Sequence, residues 1–122
     1  MDQQKMTVIK SIANWIESSN YDIKTADHMF ATKRYVYVLF MCHLATEKLI
    51  KALYEATTKE IPPKTHNLVL LLNKIALAVP EEHLKTIESL NDISIVTRYP
   101  EDIKALVKAF KKDRVGDYLQ KA

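Results

Sequence analysis

Ala45-Thr46-Glu47-Lys48-Leu49-Ile50-Lys51-Ala52-Leu53 is the stretch on which the fold turns. It reads as helix, apolar in outline, yet it holds Glu47, Lys48 and Lys51. Immediately before it, Tyr35 to Ala45 is apolar almost all round, as expected of a central helix covered on more than one side. Together they predict one long helix over about Lys33 to Thr57, some 36 Å at ~1.5 Å per residue. It must stop before Ile61-Pro62-Pro63, because consecutive prolines cannot continue a helix.

Working outward, Val8, Ile12, Trp15, Ile16, Ser19, Ile23, Ala26 and Phe30 recur at three- and four-residue steps. That stripe predicts an amphipathic first helix over about Gln3 to Ala31, weakest at Ser18-Ser19-Asn20. A third helix is expected from near Thr65, carrying Leu68, Leu71, Leu72, Ile75 and Val79 before Pro80 ends it. Pro80 then suits the first turn of a fourth helix, with Glu81 and Glu82 near its positive end and His83, Leu84, Ile87 and Leu90 following. The β-branched stretch Asn91 to Tyr99 reads as a helix end and packed loop. A fifth helix is expected from Pro100 or Glu101 to about Leu119, with Ile103, Leu106, Val107, Phe110 and Tyr118 inward. The fold expected is all-α: an antiparallel up-and-down bundle of four to five helices, a single domain over residues 1–122.

Composition agrees. A chain of 122 residues, 48% hydrophobic and 27% charged, has material for one core without staples. One glycine and four prolines leave little for hairpins. The lone cysteine, Cys42, sits in an apolar run, so no disulfide framework exists and a cytoplasmic setting is expected. Tyr35 to Cys42, the longest apolar run, is too short for a bilayer, which needs roughly 20 residues. The polar start Met1-Asp2-Gln3-Gln4-Lys5 has no signal-peptide core behind it. A net charge of +3 leans mildly towards anionic partners.

Three segments carry the chemistry. Steps of four put His43, Glu47 and Lys51 on one face of helix two. They form either an exposed ladder or a polar strip lining a groove where Lys48 or Lys51 meets a phosphate. Glu47, a carboxylate among so many apolar neighbours, is expected to be partly buried and paired with Lys51, His43 or Arg98. Thr65-His66-Asn67 opens helix three, either by capping its free N–H groups or by offering them, with His66, to an anion. Thr97-Arg98-Tyr99-Pro100 is a polar corner whose Arg98 reaches back to a carboxylate such as Glu47 or contacts phosphate with its paired donors. The lysines Lys104, Lys108, Lys111 and Lys112 read as solvated surface, interleaved as they are with Asp102, Asp113 and Asp117. Gly116 being the only glycine, no phosphate loop is present. No Cys/His spacing suits a metal and no histidine follows a glutamate by three, so neither metal nor cofactor is expected.

These segments, in this order, resemble the HEPN family of small helical-bundle proteins, in which an "AAEKALKAL" helix is followed by "THDL" and then "RYP". Here they stand as Ala45–Leu53, Thr65–Leu68 and Arg98–Pro100. The resemblance implies a small prokaryotic HEPN protein of the type found with minimal nucleotidyltransferases. Nucleotide or RNA phosphate is then the implied ligand, with Lys48, Lys51, His66 and Arg98 as candidate binding residues. Ribonuclease members of the family carry an arginine followed by histidine after four to six residues. No histidine follows Arg98 or Arg114, and Arg34 precedes His43 by nine positions in the wrong helix. A metal-independent RNA cleavage needs a proton-transfer group by the 2′-hydroxyl. The expectation is therefore a non-catalytic binding module, partner of a nucleotidyltransferase. The alternative is a ribonuclease toxin with a diverged centre built from Arg98, His43 or His66. Separately, the apolar circumference of Tyr35 to Ala45, more than a one-sided bundle would cover, predicts a homodimer.

Overall fold

In the computed structural model, the backbone is described for residues 3–75, 79–98 and 116, and side chains for residues 7–75, 79–92 and 116. Four helices follow in order: α1 (Gln3–Ala31), α2 (Tyr35–Thr58), α3 (Leu68–Ile75) and α4 (Glu81–Arg98). Among the described residues there is no strand, and the fold is all-α. The expected fifth helix, with its inward residues and its lysine stripe, lies outside the described residues apart from Gly116, which is helical.

α1 continues unbroken through Ser18-Ser19-Asn20, the point expected to be weakest. The reason is tertiary: Ser19 is fully buried and its hydroxyl donates to the Ala45 carbonyl of α2 over 2.7 Å. Ser19, Ala26, Ala45 and Ala52 are all buried, and such small side chains let the two long helices approach closely. They are joined only by residues 32–34. Arg34 N–H donates to the Met29 carbonyl at 2.8 Å and Lys33 N–H to that of Phe30 at 3.1 Å, closing α1 in a Schellman motif. Lys33 holds the left-handed position there, with φ of 65°. The Phe30 and Tyr35 rings meet edge-on across this turn, centroids 5.6 Å apart.

α2 is the centre of the bundle, touching α1, α3 and α4. Leu39, Leu68, Leu71 and Leu90 are fully buried and build the core from three helices. α3 begins at Leu68, later than the expected start at Thr65. Thr65 Oγ1 and Asn67 Oδ1 accept the N–H groups of Asn67 and Leu70, so capping turns occupy the residues expected to be helix. α4, in contrast, runs on to Arg98 through the segment expected to be loop. β-branched residues cost a helix only tenths of a kcal/mol each, and no glycine or proline interrupts before Pro100. Asn91 earns its place on α4 by accepting the Leu68 N–H at 2.9 Å, so α4 caps α3. Gly116 lies against Phe30, where a Cβ would meet the ring at 3.3 Å.

Candidate functional site

The charged face of α2 is buried. His43, Glu47, Lys51 and Glu55 recur every four residues and are 0%, 4%, 7% and 4% exposed. Of the two readings of His43, Glu47 and Lys51, the exposed ladder fails, while the expected burial and pairing of Glu47 hold: α1 covers the face from one side and the α2–α3 connection covers it from the other. A charge is costly to bury unless paired, and here each is partnered.

Glu47 is the hub. Lys51 Nζ donates to its Oε2 at 3.2 Å, and His66 Nδ1–H donates to its Oε1 at 2.8 Å. His43 Nε2–H donates to the main-chain carbonyl of His66 at 3.0 Å. Residue 66 is therefore clamped to α2 at two points, through its backbone and through its ring. Its side chain is still 60% exposed, with one imidazole edge fixed and the rest facing solvent. Glu47 was expected to pair with Lys51, His43 or Arg98, and His66 is the partner that helical spacing could not supply.

Sequence reasoning missed Glu55. Its Oε2 accepts from Ser11 Oγ at 2.7 Å and from Trp15 Nε1–H at 3.1 Å, both on α1. The Lys51 ammonium lies 5.6 Å from the centroid of the same Trp15 ring, so lysine and carboxylate share one indole. The signal was the next step of four after Lys51.

The four candidate phosphate residues do not converge evenly. Lys51 and His66 meet at Glu47. Lys48 turns towards α1 instead, pairing with Asp22 at 2.6 Å. Arg98 ends α4, and its side chain lies outside the described residues, as does the Arg98-Tyr99-Pro100 corner beyond it. Cys42 is fully buried, and burial, then the nearby Asp27 charge, pushes its thiol up to about 12. That is the inert core thiol expected of an apolar stretch. Among the described residues no cluster of His, Cys, Asp and Glu is arranged to hold a metal ion, and no helix is long and apolar enough to cross a membrane.

Compared with known proteins, the chain matches one family model, described as HEPN domain, over residues 12–122. No curated protein and no solved structure matches it.

Proposed function

The chain belongs to the HEPN domain family, and from that premise we propose that it is a binding and interaction module and not an enzyme. In this reading it is a homodimer that partners a small nucleotidyltransferase, and nucleotide or RNA phosphate is its anionic ligand. The observation that carries it is how the motif's charges are used. Glu47 holds Lys51 and His66, Asp22 holds Lys48, and Glu55 holds Ser11 and Trp15. Groups committed to buried pairs keep a fold in register and are poorly free to move protons for a substrate. A phosphate would meet the outer edge of His66, with Lys51 behind it and Arg98 as the remaining candidate donor, while Lys48 is turned away and held by Asp22. Such binding is weak and falls with salt.

Calorimetry with ATP, GTP and a short RNA at low salt tests the ligand. Binding weakened in both His66→Ala and Arg98→Ala supports the site, whereas no heat at millimolar ligand refutes it. Co-purification with a small nucleotidyltransferase encoded beside the chain tests the partner.

One observation favours the ribonuclease alternative. Glu47 fixes the proton on Nδ1 of His66 and leaves Nε2 outward, the arrangement of a general base oriented by a carboxylate. Chelator-resistant cleavage of labelled RNA, lost in both His66→Ala and Arg98→Ala, would establish that reading in place of the first.

A further inference from the structure

We infer that a phosphoryl oxygen binds at Nε2 of His66 only together with a proton, so that the chain takes one up from solvent for each anion it holds. The inference rests on the reading of His66 as an anion site given above and adds the regulation of that site by pH.

The two ring nitrogens of His66 have different duties. Nδ1 gives its hydrogen to Glu47 Oε1 at 2.8 Å, while the outer edge of the ring faces solvent. A neutral imidazole carries a single N–H, so with Nδ1 protonated its Nε2 is a bare lone pair. A phosphoryl oxygen is also an acceptor, and two acceptors set against each other repel. Moving the hydrogen to Nε2 would instead turn a bare Nδ1 onto the buried carboxylate. Only the imidazolium, a donor at both nitrogens, keeps Glu47 and holds a phosphate at once.

The charges around the ring point the same way. Facing it from α2 are Glu47, Lys51 and, beyond Lys51, Glu55, all buried. Two carboxylates against one ammonium leave a negative charge behind a neutral His66, and an anion is repelled there. Lys51 cannot replace the missing proton, because its ammonium is held by Glu47 and lies against the Trp15 ring. His43, also on α2, is engaged with the His66 carbonyl. From α1, Ser11 and Trp15 are uncharged and Asp22 is offset by Lys48. From α4, Asn91 reaches Leu68 and is uncharged, and Lys64 on the connection itself is exposed. Arg98, the remaining candidate donor, is charged at any working pH and adds attraction without a proton. Histidine is the side chain whose charge changes in the physiological range, and the His66 ring is the part of this network that meets solvent.

The two functions weighed for His66 therefore need opposite states of one nitrogen: a lone pair on Nε2 for a base, a hydrogen on it for a binding site. Linkage fixes the sign. If binding takes up a proton, the anion is held more tightly as pH falls, by at most about tenfold per pH unit.

The test is calorimetry of the full chain at low salt in Tris and in HEPES, whose ionisation heats differ widely. One probe is a short oligouridylate without terminal phosphates, which does not itself titrate near neutrality. The other is ATP at about pH 8, where its phosphates hold almost no proton. The heat should differ between buffers by an amount corresponding to uptake of up to one proton, whichever probe binds. His66→Gln, with circular dichroism as the folding control, should bind more weakly and give equal heats in both buffers. Imidazole nitrogen NMR of the wild-type chain decides without the variant: His66 should shift to the imidazolium position on adding the probe. Binding with equal heats in both buffers, an unchanged neutral His66 spectrum, or buffer dependence that survives in His66→Gln overturns the coupling while leaving the anion reading intact. No binding of either probe overturns both.

Discussion

The exposed ring of His66 is bound to the buried carboxylate of Glu47, Nδ1 to Oε1 at 2.8 Å, with 60% of one side chain in solvent and 5% of the other. The asymmetry ranks the two residues. Glu47→Ala strands Lys51, whose side chain is 9% exposed, without its counter-charge, and should cost about 2–4 kcal/mol. His66→Ala leaves Glu47 its lysine and should cost about 1 kcal/mol. Urea unfolding of both variants checks the order, and equal losses would show that the lysine pair contributes nothing.

The same network predicts partial repair. In Glu47→Ala, adding Lys51→Met removes the stranded ammonium while keeping a long side chain under Trp15. The double variant should be more stable than Glu47→Ala alone by about 1–2 kcal/mol. A double variant less stable than either single one would refute the account.

Lys33 occupies a position suited to glycine, at φ 65° in the turn that closes α1. Left-handed backbone costs an L-residue roughly 1 kcal/mol, so Lys33→Gly should raise the thermal midpoint by a few degrees despite glycine's greater freedom when unfolded. Thermal melts decide it; a lower midpoint would mean that the lysine side chain contributes more than the strain.

Cys42 gives a signed pH dependence. Its folded thiol is pushed up to about 12, above the ordinary value near 9. The unfolded chain therefore loses this proton first. The group's contribution is complete below about pH 9 and is lost as pH rises towards 12. Cys42→Ala should flatten the alkaline fall in stability relative to wild type. At neutral pH, Ellman's reagent should label Cys42 only as fast as the chain opens, and immediate labelling would contradict its burial.

Most of the helical order was legible because it is written in spacing: the stripe of α1, the apolar run of α2 and the prolines that end elements. Asn91 to Arg98 is helix although its β-branched residues suggest a loop, because their cost is only tenths of a kcal/mol each and the Asn91–Leu68 hydrogen bond, which spacing does not reveal, ties this part of α4 to α3. The site was half legible. Steps of four on α2 grouped His43, Glu47 and Lys51, but nothing in that pattern states exposure, and burial of the face depends on Trp15, Ser11 and His66 arriving from elsewhere. Lys48 fell in the same motif as Lys51, yet it directly follows Glu47, and one residue is about 100° of helix, enough to send it to Asp22.

The brevity of the connection at residues 32–34 sets a kinetic order for the molecule. α1 and α2 find each other after closing a loop of very low entropic cost, and Ser11, Trp15, Ser19 and Asp22 all bond within that pair. The helical hairpin can therefore assemble during synthesis before α3 and α4 leave the ribosome. It would then wait with Lys51 already seated on Glu47, and His66 would be the latch that later arrivals bring to it.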